Sequence, residues 1–162
     1  MKGRKRMIYK IYCDGAVSNN GYENAIGGWA YVILDDKDTI LFEENNFEKY
    51  ATNNRMELYS CYKGLDKLLT EITLKEEDKI EVYTDSAYLH NCYSQKWYLS
   101  WLRNNWLNSK KQPVANKNLW QLIIPFFENE KVDFFKVKGH NNNYWNEYVD
   151  SLAVAAKKNG GD

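Results

Sequence analysis

Cysteine, histidine and long apolar runs are all scarce in this chain, and each scarcity removes a class of function. Cys13, Cys61 and Cys92 are the only cysteines and form no Cys-x-x-Cys pair, so neither a disulfide framework nor a thiolate zinc site is indicated. No apolar stretch approaches the roughly 18 residues of a membrane span. The basic start MKGRKRM runs into a strand-like IYKIYC, without the apolar core and cleavage site of a signal peptide. A cytoplasmic protein with no membrane role is expected. Acidic residues are missing altogether from Ser86 through Phe127, where Lys96, Arg103, Lys110, Lys111 and Lys117 fall. The formal net charge of zero therefore conceals a basic middle that favours a partner carrying negative charge.

What remains is ordinary for a globular protein: 162 residues with 44% hydrophobic and 27% charged, enough for one domain with its own core. A single domain over 1–162 is expected, with a basic N-terminal extension at 1–6 and a frayed tail at 158–162. Ile8 to Cys13, Gly27 to Leu34 and Thr39 to Glu44 read as strands with short polar connections, the pattern of an antiparallel meander. The period then changes. Leu58, Cys61, Leu65, Leu68 and Ile72 recur every three or four residues, which predicts a helix from about Asn54 to Thr70 with one buried face. Ile80 to Thr84 is a short strand, Ala87 to Tyr93 a helix, LWQLIIPFF a helix, KVDFFKV a strand, and about Asn143 to Lys158 a closing helix. Strands alternating with helices add parallel members to the sheet. The expected fold is α/β, a mixed sheet of about five strands flanked by helices.

Four carboxylates fall at the ends of these elements. Asp14, in YCDGA, reads alone as an Asp-Gly turn. Asp85, in TDSAYL, reads as part of a helix cap shared with Ser86. Glu57 stands three residues after Asn54, a capping arrangement, yet lies on the same stripe as Cys61 and Leu65, where an unpaired charge is costly. Asp150 reads as a solvated helix face. Taken together they resist those readings. If the first strand and the one ending at Thr84 are parallel neighbours, Asp14 and Asp85 emerge at one edge, and a helix on each side can bring Glu57 and Asp150 there. Such a group repels itself unless a hard cation such as Mg²⁺ neutralises it. His140 precedes the closing helix in KGHNNNYWNEYVDSLA.

DGA at Asp14, GGWAYVI from Gly27, TNNRMEL from Thr52, TDSAYL from Thr84, WYLSWLRNNW from Trp97, PVANKNLW from Pro113 and KGH…NEYVDSLA from Lys138 together resemble the type 1 ribonuclease H family, from about Ile8 to Ala156. The resemblance implies the ribonuclease H-like mixed five-stranded sheet. It implies a nuclease that hydrolyses the RNA strand of an RNA/DNA hybrid with two Mg²⁺ ions, or Mn²⁺ in their place, leaving 5′-phosphate and 3′-hydroxyl ends. Asp14, Glu57, Asp85 and Asp150 match the metal-binding carboxylates, and His140 matches a histidine in a mobile loop that assists turnover. Asn20, Asn53 and Asn54 match contacts to the hybrid's backbone and 2′-hydroxyls. Trp97, Trp101 and Trp106 look like the basic protrusion that grips the DNA strand, with Arg103, Lys110, Lys111 and Asn116 as further substrate contacts. The tryptophans can equally be an aromatic stripe packed into a helical elbow while the cations face phosphates. A monomer is expected.

Two other functions stay open at the level of sequence. A nuclease or integrase of the same fold would cut DNA that contains no ribonucleotide, and a silent hybrid-binding module predicts a broken carboxylate set, whereas all four acids are present here. The chain could also be the nuclease domain of a reverse transcriptase, although its Met1 start fits a free-standing enzyme.

Overall fold

The computed structural model describes residues 5–138 and 143–161. His140 lies outside these described residues. Three antiparallel strands open the chain, β1 (Ile8–Ser18), β2 (Ile26–Leu34) and β3 (Ile40–Lys49), followed by α1 (Asn53–Glu71) and β4 (Lys79–Thr84). Then come α2 (Ala87–Gln95), α3 (Trp97–Arg103), α4 (Lys117–Phe127), β5 (Val132–Lys136) and α5 (Tyr144–Gly161). The sheet order is β3-β2-β1-β4-β5, with β4 parallel to both β1 and β5. Meander, parallel additions and five strands are as the sequence pattern predicts.

Sheet alternation divides the core in two. Ile11 and Cys13 of β1 face α1, in one large cluster with Met56, Leu58, Cys61, Leu65 and Leu68. Tyr12 faces the other way, into a smaller cluster with Val149 and Ala153 of α5. The closeness of α5 to the sheet depends on Gly28, where a Cβ would stand 2.0 Å from the Ala153 carbonyl oxygen and 2.6 Å from the Lys157 nitrogen.

Four boundaries differ from the sequence reading. The first strand does not stop at Cys13: Asp14 lies inside β1, paired with Ala30, so it belongs to no Asp-Gly turn. Helix α1 is capped by Thr52, whose Oγ1 accepts from the Arg55 nitrogen at 3.2 Å, and not by Asn54 with Glu57. Glu57 is thereby left without a capping job. The third strand continues past Glu44 to Lys49. The closing helix, expected to fray from Lys158, continues to Gly161, where Gly160 sits so close to the Phe47 ring that a Cβ would come within 2.3 Å of it. Among the described residues no helix is long and apolar enough to cross a membrane.

Candidate active site

Asp14 occupies the stretch of β1 that runs beyond the end of β4, since the parallel register between them ends at Tyr12 and Tyr83. Asp85 follows the last residue of β4 and precedes Ser86, whose hydroxyl caps α2 by accepting from the Leu89 nitrogen at 3.1 Å. Cap and carboxylate are thus separate neighbours, and Asp85 is left free to point elsewhere.

Glu57 reaches the same place because of Gly15. A Cβ on Gly15 would lie 2.5 Å from Met56 Cβ and 2.9 Å from the Glu57 nitrogen, so the absent side chain is what seats the first turns of α1 on β1 beside Asp14. Gly15→Ala is expected to lower stability by about 1–3 kcal/mol, the usual cost of overpacking, and to reduce activity further by displacing Glu57. Urea melts alongside cleavage rates check both.

One ligand oxygen each from Asp14, Glu57 and Asp85 can be chosen so that all lie within 4.8 Å of one another. Asp150, half-buried on α5, approaches from the other face of the sheet, near enough for its carboxyl to act on the titration of Asp14. Three of the four carboxylates singled out from the sequence thus meet tightly, and Asp150 is joined to them by its electrostatic effect on Asp14. Their electrostatics match the crowding. Burial, then the Asp85 charge, then Asp150 push Asp14 from the ordinary 3.8 up to about 8. Glu57 is raised well above its ordinary range, first by burial and then by Asp14 and Asp85. Among the described residues one hydrogen bond favours the charged form of Asp14, the Gly15 nitrogen donating to Oδ1 at 2.9 Å.

Buried Asp14 Oδ2 and Glu57 Oε2 have no hydrogen-bond partner among the described residues. Orphaned anionic oxygens of this kind cost free energy unless a cation takes them up. Hard oxygen donors at this spacing suit Mg²⁺ or Mn²⁺, so the residues present fit a divalent ion.

Beside the carboxylates lies a polar shoulder. Asn20, in the turn between β1 and β2, accepts through Oδ1 from the Asn53 nitrogen at 3.1 Å, which joins that turn to the start of α1. Asn53 and Asn54 are both exposed there. Farther along, α2 and α3 meet at Lys96, held at φ 56°, and form the elbow. Trp97, Trp101 and Trp106 are partly buried against the main core: Trp101 lies 5.5 Å from Trp120 and 5.9 Å from Trp106, centroid to centroid. Arg103, Lys110 and Lys111 are exposed. Aromatic packing and outward cations coexist, as the sequence allowed. Asn116 behaves differently: it caps α4 at φ 60° and its Nδ2 donates inward to the Tyr88 hydroxyl at 3.5 Å.

One residue went without a role in the sequence reading. Asn146, one turn before Asp150 on α5, is buried with Oδ1 unpartnered among the described residues, while its backbone nitrogen donates to Asn143 Oδ1 at 3.0 Å. The i, i+4 spacing to Asp150 was the available signal.

Sheet order and carboxylate placement define the class of protein, a ribonuclease H fold, and solved structures share it. The crystal structure of LC9-RNase H1, a type 1 RNase H with the type 2 active-site motif, aligns with a TM-score of 0.77 at 22% identity, covering 98% of this chain and 75% of that one. That of LC11-RNase H1 in complex with RNA/DNA hybrid aligns with a TM-score of 0.68 at 18% identity, covering 95% of this chain and 99% of that one. The ribonuclease H of Caldanaerobacter subterraneus subsp. tengcongensis is 40% identical over 147 residues, 91% of this chain and 89% of its own length. That of Chlorobium limicola is 41% identical over 149 residues, 92% and 94% of the two. With the RNase H family profile matching residues 6–158, the chain belongs to the ribonuclease H family and is a hydrolase of that type.

Proposed function

We propose that this protein hydrolyses the RNA strand of RNA/DNA hybrids with two Mg²⁺ ions, Mn²⁺ being the substitute, and leaves 5′-phosphate and 3′-hydroxyl ends. The observation that carries the reading is the convergence of Asp14, Glu57 and Asp85 oxygens within 4.8 Å, two of them buried without partners. Asp14 would be shared between the ions, with Glu57 and Asp85 completing one site and Asp150 the other. When bound, the ions supply water of lowered pKa for in-line attack at phosphorus and offset charge on the departing 3′-oxygen. Cys13 is fully buried and its thiol is pushed up by its contact with Cys61 and by burial, so it makes a poor nucleophile, in keeping with hydrolysis that needs no covalent intermediate.

Substrate choice follows from two different surfaces. Asn20, Asn53 and Asn54 offer side-chain amides that both donate and accept, the capability a 2′-hydroxyl demands. Arg103, Lys110 and Lys111 stand on the tryptophan-packed elbow, suited to the phosphates of the deoxy strand. With few cations there, affinity should be modest and its salt slope shallow, because that slope scales with the number of phosphates contacted. LC11-RNase H1, which shares the fold, was solved with an RNA/DNA hybrid, and this supports the same substrate here. The protein acts as a monomeric single domain in the cytoplasm in this reading.

End-labelled RNA offered as single strand, RNA duplex and RNA/DNA hybrid, with Mg²⁺ or with chelator, tests the proposal. Cleavage confined to the hybrid and abolished by chelation is expected. Cutting of a DNA duplex free of ribonucleotides would sink it. His140→Ala is expected to lower kcat by about 10²-fold, the lower range for losing one acid/base group, with KM for the hybrid nearly unchanged.

A further inference from the structure

A cavity of about 720 Å³ opens between the β1–β2 turn, the end of β3 and the end of α5, with Lys49, Tyr50, Lys157, Lys158, Asn19 and Asn24 among its lining residues. It sits at the far end of the hairpin from the carboxylates: Ser18, which pairs with Ile26 and through it with Lys49, is four residues beyond Asp14 on β1. The lysines reach this place through backbone packing. Gly28 and Gly160 bring α5 down onto β2 and β3, which delivers Lys157 and Lys158 beside the strand end that carries Lys49.

The local account of these groups is incomplete. Lysines in the last turns of α5 complement its dipole, but Lys49 belongs to a strand. Among the described residues no salt bridge engages any of the three, and Glu23 is the only carboxylate among those lining the cavity. Among the described lining residues three cations face one anion. Tyr50 adds a second oddity, an aromatic residue 78% exposed at φ 61°, pinned there by its nitrogen donating to the Ala25 oxygen at 2.7 Å. A left-handed backbone at a bulky residue costs free energy and persists where the surroundings enforce it, most often at binding sites.

We propose that this cavity is a second nucleic-acid contact, which takes backbone phosphates of the hybrid beyond the segment lying over Asn20, Asn53 and Asn54. The inference rests on the substrate proposed above. Continuity of surface argues for it: Asn19 and Asn20 are successive residues of one turn, and Tyr50 stands two residues before the Thr52 cap that begins the asparagine pair. A duplex carries one negative charge for about every 1.7 Å of its axis, so a hybrid extending past the asparagines brings several phosphates to Lys49, Lys157 and Lys158. Cations with an exposed ring and no deep apolar slot suit a sugar-phosphate backbone irrespective of base sequence.

Hybrid length provides the test. Steady-state cleavage in Mg²⁺ is measured on hybrids of about 24 and about 8 base pairs at about 0.15 M salt, where loss of one or two phosphate contacts reduces affinity several-fold. Lys49→Gln combined with Lys157→Gln is expected to raise KM for the long hybrid roughly three- to tenfold and to lower its salt slope by about 1–2. Values for the short hybrid and kcat for both should stay as in the wild type. A control that removes the same charge elsewhere, Lys37→Gln with Lys67→Gln, should leave both hybrids unaffected. An unchanged long-hybrid KM, an equal rise for both lengths, or an equal rise in the control would each overturn the proposal. Failure of the wild type to cleave either hybrid would instead overturn the substrate reading.

Discussion

Asp85→Asn is expected to reduce hybrid cleavage by about 10³-fold or more, because under the proposed metal-assisted hydrolysis the lost carboxylate removes several kcal/mol of transition-state stabilisation. The substitution preserves shape and alters charge. Asp85 is half-buried, and the neighbouring Ser86 cap depends on the serine hydroxyl, so α2 should keep its start and the fold its stability. Hybrid binding should survive, since the asparagine shoulder and the elbow lie on other elements. Single-turnover cleavage with excess enzyme, paired with fluorescence anisotropy on a labelled hybrid, separates the two effects. A variant that cleaves at the native rate in Mg²⁺ would remove Asp85 from the centre, whereas one that neither cleaves nor binds would show that the aspartate acts in binding. Melting curves guard against misfolding.

The sequence-level reading was strongest where one period dominates. The apolar stripe from Leu58 to Leu68 produces α1 because every member is fully buried against the sheet, and the alternation in β1 survives because its two faces meet different helices. It was weakest where a residue's reason lies across the fold. Gly15 beside Asp14 looked like turn chemistry, yet its function is to admit the backbone of Met56 and Glu57, a contact 41 or 42 residues away along the chain that no local window contains. Thr52 took the cap from Asn54 because its extended backbone (φ −119°, ψ 158°) is the conformation an N-cap needs. The tail appeared free to fray because terminal segments usually do, whereas Gly160 packs on Phe47. The candidate site was legible as four carboxylates at element ends. Their convergence needed the parallel pairing of β1 with β4 and the shortness of β4, and neither the partial burial of Asp150 nor the orphaned Asn146 oxygen can be read from spacing alone.

Without divalent cation the protein should lose stability as pH rises from about 4 to about 8, with Mg²⁺ restoring it at the upper end. An unfolded chain gives Asp14 the ordinary carboxylate pKa of 3.8, while burial and the Asp85 and Asp150 charges raise it to about 8 in the fold. Between those values the native state holds a proton that the unfolded state has released, so stability falls with increasing pH. Glu57 is displaced in the same direction by burial and by Asp14 and Asp85, which steepens the decline. Ion binding reverses it, since a ligand at a hundredfold its Kd adds about 2.7 kcal/mol, and it should do so at pH 8 and scarcely at pH 5, where protons compete for the same oxygens. Asp14→Asn isolates the cause: it carries no titrating charge, so at pH 8 without cation it should melt above the wild type, by about 1–3 kcal/mol in stability, and should show little response to Mg²⁺. Differential scanning calorimetry of both proteins at pH 5 and pH 8, with Mg²⁺ and with chelator, reads all of this. A wild type whose chelated melting temperature relative to Asp14→Asn is the same at both pH values would mean that the carboxylates are not held uncompensated in the fold, and the electrostatic case for a cation at Asp14 would fall with it.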